Sequence, residues 1–302
     1  MFVIRHKTAF ILISTAVALL SLLAIIVFRL PIGVDFTGGS IIEVRYIDGR
    51  PAAEEITPRL DTLSLGSYRL QGSGDDRYII RTKMLSETQR LPVIDALSLG
   101  DAKNVVEERF NSIGPVVGGE LKRKAFAAMI VVILAIILFI AFAFRKVGKP
   151  VSSWKYGMVA VLTLAHDVLV PTGVFALLGR TSAVEIDILF VTAFLAILGY
   201  SVNDTIVVFD RIRENLKLNE EYRKKEDFDV TVGNSLTQTY ARSFNTSFTM
   251  IIVLAALYAF GSDSVRYFSL ALLIGTIAGT YSSIFLASPL LVYIQEKSKV
   301  KL

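Results

Sequence analysis

Six stretches of this 302-residue chain are each long and apolar enough to cross a bilayer. Backbone that crosses hydrocarbon must satisfy its own hydrogen bonds, so each is predicted to be a helix. The first runs from Thr8 to Leu30, and at about 1.5 Å rise per residue it spans a hydrocarbon core of roughly 30 Å. Arg5, His6 and Lys7 precede it as in a signal peptide, but its length, and the lack of a small-residue cleavage pattern after Leu30, favour an uncleaved anchor. The other five cover about 124–144, 156–178, 186–209, 244–260 and 267–294. At 53% hydrophobic and 20% charged residues the chain is too apolar for a soluble domain of this length.

Lys and Arg in the short loops set the orientation. Arg5 and Lys7 at one end, Arg145, Lys146, Lys149 and Lys155 after the second helix, and Lys297, Lys299 and Lys301 at the other end place both termini in the cytoplasm. The alternate loops carry Arg180 and Arg266 alone and face outward. The net charge of +5 is therefore a topology signal and points to no nucleic-acid partner. Residues 210–243 are read as a cytoplasmic loop whose mixed charges form solvated surface.

The same alternation leaves residues 31–122 as an extracytoplasmic domain between the first helix (residues 1–30) and the remaining five (123–302). Strands are predicted at 40–47, 68–71, 77–82 and 104–110, with a turn at 72–75, and helices at 52–63 and 86–97. The order β-α-β-β-α-β is that of an α+β ferredoxin-like fold, with Pro58 and Pro92 inside the two helical segments. The fold class predicted for the whole chain is thus a membrane all-α six-helix bundle with an inserted α+β ferredoxin-like extracytoplasmic domain.

Enzyme chemistry has little to work with. The chain has no cysteine, its two histidines, His6 and His166, have no partner at metal-ligand spacing, and neither a phosphate-binding glycine loop nor a nucleophile elbow occurs. The turn glycines at 72 and 74 are turn residues. No metal, cofactor or catalytic residue is predicted.

Ionisable residues inside apolar helices are the features that call for a function, because a charge there costs several kcal/mol and faces a bundle interior or a water path. They are Asp167, Asp204 and Arg242. Asp204 lies about one and a half turns inside the polar end that begins at Asp210 and Arg211, and Arg242 enters from the same side at the start of the fifth helix. Such a pair can take up and release a proton, or can be a static ion pair that fixes helix register. Asn203 reads as an interhelical hydrogen bonder. Asp167, beside His166 and one turn before Pro171, either joins a proton relay or satisfies backbone freed by the proline. Asp35 reads as a turn or capping residue.

Four runs are familiar in that order: Gly33-Val-Asp-Phe-Thr-Gly-Gly39, Val105-Val-Glu-Glu-Arg-Phe-Asn-Ser-Ile-Gly-Pro115, Ala165-His-Asp167 and the long stretch from Gly199 to Asn215. Across nearly the whole chain they resemble the SecF family, membrane subunits of the bacterial Sec protein-export machinery within the resistance-nodulation-division superfamily. The resemblance implies a SecD-like partner subunit, association with the SecYEG channel and with a translocating polypeptide, and a lipid environment in the bacterial cytoplasmic (inner) membrane. It further implies use of proton flow, H⁺ being the coupling ion, to assist late translocation and release on the outer side. Carried over by position, the family's essential aspartate falls on Asp204 and its arginine on Arg242; Asn203 and Asp167 are added as candidate coupling residues from their place in the apolar helices alone. Gly33, Asp35, Phe36, Gly38, Gly39, Gly199, Asp210 and Arg211 fall on family motif positions. A small-molecule or lipid exporter of the same superfamily and a non-transporting scaffold are the alternative readings.

Overall fold

In a computed structural model, residues 1–145, 151–181 and 184–299 are described, without the side chains of 263, 264 and 299. Lys146, Lys149 and Lys301 of the charge argument lie outside the described residues. The chain divides into two compact units, Met1–Pro31 with Ala128–Leu302, and Ile32–Ala127.

The elements run in chain order as α1 (Phe2–Arg5), α2 (Lys7–Phe28), α3 (Val34–Thr37), β1 (Gly39–Tyr46), α4 (Ala53–Asp61), β2 (Arg69–Ser73), β3 (Arg77–Thr82), α5 (Glu87–Leu97) and β4 (Val105–Ile113). Then come α6 (Pro115–Ala143), α7 (Ser153–Thr181), α8 (Ile188–Glu221), α9 (Phe228–Phe260), α10 (Asp263–Ser282), a π-helical turn (Ser283–Ala287) and α11 (Ser288–Lys299). Six of these helical spans are long and apolar enough to cross a membrane.

The inserted unit is a four-stranded antiparallel sheet in the order β2-β3-β1-β4, with two helices on it. Alternation puts Ile42, Val44 and Tyr46 of β1 on one face, opposite Ile80 and Tyr78 of β3, and these close over Ile56 and Leu60 of α4 and Val93 and Leu97 of α5. Both buried tyrosines find acceptors: Tyr46 donates to Leu97 O (2.9 Å) and Tyr78 to Pro51 O (2.9 Å). Neither proline breaks its helix. Each sits at the sixth position, and the first turns are held by Glu55 accepting from Ala52 N–H (3.2 Å) and Gln89 accepting from Ser86 N–H (3.0 Å). The turn expected at 72–75 is shifted: β2 runs on to Ser73, which pairs with Arg77, and Gly74 at φ +60 turns the chain.

In the membrane unit, glycines bring helices close. A Cβ on Gly173 of α7 would lie 2.6 Å from the Ser21 Cα of α2, and one on Gly275 of α10 would lie 2.3 Å from the Ile197 side chain of α8. Small residues at these crossings let backbones approach, which is how helices associate where lipid removes the hydrophobic drive. At one end Phe144, Tyr156 and Phe209 form an aromatic trio with ring centroids 5.2 to 5.8 Å apart.

The loop expected at 210–243 is corrected. α8 continues to Glu221 and α9 begins at Phe228, so only six residues, 222–227, join them. Ile212 and Leu216 on α8 and Phe228, Val232 and Leu236 on α9 repeat every four residues, and this stripe packs the two rods together. Asn215 donates to Ser235 (2.8 Å) and Asn219 to Thr231 (3.0 Å) across the same seam.

Glu226 closes the hairpin tip. It accepts from Lys224 Nζ (2.9 Å), Asn219 Nδ2 (3.1 Å), Thr231 Oγ1 (2.8 Å) and Asn234 Nδ2 (3.2 Å). The Lys224 ammonium, then the Asn219 and Thr231 hydrogen bonds, hold its carboxyl below the usual glutamate value. A pKa depressed by folding adds stability that is present above the unfolded value and lost as pH falls through the folded one. Glu226→Gln is therefore expected to weaken the hairpin by about 1 kcal/mol at neutral pH, and the difference from the parent should vanish in acid. Amide hydrogen exchange over 215–235 measures this. Equal protection of the two proteins at neutral pH would refute it.

Candidate functional site: buried carboxylates in the helix bundle

The polar centre of the membrane unit is built by α7, α8, α9 and α10. Ser201, Asp204 and Thr205 fall on one face of α8 by their spacing of three and four. Ser243 and Ser247 do the same on α9. Asp204 Oδ1 accepts from Ser243 Oγ at 2.6 Å, and its Oδ2 is buried beside the Ser283 hydroxyl without forming a hydrogen bond. Ser283 itself bonds Thr205 at 2.9 Å. Ser247 accepts from both Tyr200 (2.7 Å) and Thr280 (2.7 Å).

Asp167 on α7 is the most enclosed carboxylate, at 0% exposure. Its Oδ2 accepts from Ser201 Oγ and from Ser282 Oγ (2.7 Å), and its Oδ1 lies 3.0 Å from His166 Nδ1. The His166 Nε2 atom is buried and unpaired.

Arg242 is not where the sequence put it. It lies midway along α9 rather than at its start, exposed, and makes no ion pair with Asp204 within 4.0 Å, although its charge still acts on that carboxylate from a distance. Instead it lines a cleft of about 210 Å³ with Asp210, Arg211, Glu214 and Gln238. In that cleft Arg211 pairs with Glu214 (2.8 Å), while Asp210 pairs with Arg213 (2.6 Å). Asn203 is also exposed, about 100° around α8 from Asp204, and among the described residues the interhelical bond expected of it is not formed. Among the described residues no three His, Asp or Glu side chains gather as a metal site.

The Gly33–Gly39 motif belongs to the inserted unit. Gly33 precedes α3 as its N-cap, and Asp35, expected in a turn or cap, is buried in the first turn of α3 together with Phe36. Gly38 has φ +75 with Pro115 Cα 2.7 Å from where its Cβ would lie, and Gly39 has φ +134 against Thr82 O, so both positions exclude a side chain. Gly199 differs: a Cβ there meets nothing within 4 Å. Ser201, Ser243, Ser282 and Ser283 were not singled out as site residues from the sequence, although the i, i+4 pairs 201/205 and 243/247 mark hydroxyl stripes.

Residues 94–297 match the family profile described as Protein export membrane protein SecD/SecF, C-terminal. The chain belongs to the SecD/SecF family. The matched stretch includes Asp167, Asp204 and Arg242 but not the Gly33–Gly39 run. Protein translocase subunit SecF of Thermobaculum terrenum is 40% identical over 311 residues, covering 99% of this chain and 96% of the relative. Protein translocase subunit SecDF of Bacillus subtilis is 31% identical across 92% of this chain but only 36% of its own length. The crystal structure of SecDF, a translocon-associated membrane protein from Thermus thermophilus, superposes with a TM-score of 0.83 at 29% identity, over 97% of this chain and 38% of that one. The chain thus spans a little over a third of the length of the SecDF proteins it matches. As a SecD/SecF protein it is a multi-pass membrane protein and not an enzyme.

Proposed function

We propose that the chain is a SecF-type accessory subunit of the Sec protein-export translocase, driven by the proton-motive force and assisting late translocation and release of polypeptides on the outer side of the membrane. The observation that carries this reading is Asp204, a carboxylate inside an apolar bundle whose bonds within the chain come from a neutral hydroxyl. Arg242, one residue from Ser243 and open to the adjoining cleft, supplies a cation that a small helix rotation brings toward or away from it. Protonation of Asp204 removes that attraction, which is the elementary step a proton-coupled cycle needs.

A SecD-like subunit is the first partner. Asn203 on α8 and Arg242 and Asn245 on α9 are polar and exposed within long apolar helices, a face that lipid does not tolerate and a second membrane half would cover. Fusion of the matching region into longer SecDF chains supports the same partner. The SecYEG channel, the exported polypeptide and membrane lipid complete the proposed surroundings, with no cofactor. The strand order and the all-antiparallel pairing support a ferredoxin-like split β-α-β reading of the inserted unit.

The proposed location is the bacterial cytoplasmic membrane with both termini inside, which puts the inserted unit outside. A cysteine replacing exposed Asp75 should then react with a membrane-impermeant thiol reagent in intact spheroplasts, whereas one replacing exposed Ser152 should not. Labelling of Ser152→Cys alone would invert the topology. For the function itself, inverted vesicles depleted of the chain should lose the gradient-dependent part of protein export and regain it when the chain is restored. Export that responds to the gradient equally without the chain would end the proposal.

A further inference from the structure

Asp167 is enclosed with no Lys or Arg beside it among the described residues. α2 offers it no ionisable group beyond Lys7 at its far end. α8 offers the Ser201 hydroxyl, with Asp204 about one turn further along, and α10 offers Ser282 and, beside His166, Tyr281. On α7 itself the neighbour is His166, 6% exposed. His166 Nδ1 lies 3.0 Å from Asp167 Oδ1 and donates to it, while Nε2 is buried without a partner. Among the described residues no Lys or Arg lies within ion-pair reach of Asp167.

Its surroundings fit two charge states. With the carboxylate ionised, Ser201, Ser282 and His166 all donate to it. With Oδ2 protonated, the new O–H donates to Ser282 Oγ, and the Ser282 hydroxyl turns its own proton to the Gly279 carbonyl, already 3.0 Å away. A merely structural carboxylate needs only one such arrangement. Ser282 also immediately precedes the π-helical turn Ser283–Ala287, and single π turns inside α-helices recur at functional sites. Ser283, the next residue, faces Thr205 of α8, so the wide turn splays the two serines toward different helices.

We propose that Asp167 is a second proton-binding carboxylate of the bundle, with Ser282 as the hydroxyl switch that accommodates both of its charge states. The proton comes from water as hydronium and returns to water. One O–H bond forms at Asp167 Oδ2, and no electron moves. The use of this site in an export cycle rests on the proton-driven reading of the bundle, but proton binding at Asp167 does not.

The test is difference infrared spectroscopy of the full chain in lipid bilayers across a pH titration, following the C=O stretch of carboxylic acids. One titrating band should disappear in Asp167→Asn and persist in Asp204→Asn. Ser282→Ala keeps Asp167 but removes the switch, so the same band should remain and shift in frequency. A spectrum in which Asp167→Asn removes no titrating band, or in which Ser282→Ala leaves that band unmoved, would overturn the proposal. Loss of export in Asp204→Asn with the Asp167 band intact would leave the two readings separately judged.

Discussion

Asp204→Asn should reduce gradient-dependent export per assembled complex by about tenfold or more while insertion and partner binding persist. The amide keeps the size of the carboxylate and still accepts a hydrogen bond from Ser243, now 2.6 Å from Oδ1, so the packing between α8 and α9 is retained. What disappears is the titratable charge. A static register device would behave in the opposite way, with stability or assembly falling and export per complex surviving. The measurement is export in membrane vesicles with and without a gradient, normalised to the amount of complex. Arg242→Lys belongs in the same experiment. Lysine keeps the positive charge but not the planar fork, so an intermediate rate is expected if Arg242 engages a carboxylate during the cycle. Normal export by the Asn variant would remove Asp204 from the mechanism.

The second large effect is structural. Gly173→Leu should destabilise the membrane unit by about 3 kcal/mol or more, because even a Cβ at this site would lie 2.6 Å from Ser21 Cα and 2.9 Å from Ser21 O. These contacts are to backbone, so no rotamer change relieves them and α2 must move off α7. Gly199→Ala is the control. Its Cβ meets nothing within 4 Å, and alanine is the better helix former by about 1 kcal/mol. Thermal unfolding of the isolated chain in detergent should therefore separate the two in opposite directions. A Gly173→Leu protein that melts with the parent would mean that α2 is not seated on α7 as described.

The six spans were legible because crossing a bilayer demands some twenty apolar residues, and nothing else in a chain this size produces that length six times. The sheet was legible because Ile42, Val44 and Tyr46 alternate with more polar residues, a period that only a strand uses. The α8–α9 hairpin was missed for a physical reason. Counting charges over 210–243 averages around the helix, whereas the packing signal is confined to one stripe, Ile212 and Leu216 against Phe228, Val232 and Leu236. The site was half legible. Asp204 and Arg242 stand out by charge, but the rotation of a helix is not visible in a list of residues, and consecutive positions differ by about 100°. Ser243, not Arg242, turns inward to meet Asp204, and Asn203 turns outward for the same reason.

The long rods have a mechanical meaning. From Asp204 to the end of α8 at Glu221 the chain has no glycine or proline and no break in its helix, a stiff arm of about 26 Å at 1.5 Å per residue. α9 is braced alongside it through Asn215, Asn219 and Glu226. A tilt of 5° pivoting at the level of Asp204, roughly, sweeps the far tip through about 2 Å on that arm. A hinge anywhere in between would have absorbed such a displacement. Any rearrangement that tilts these helices at the level of Asp204 would therefore be magnified at the far end of the hairpin rather than lost along it.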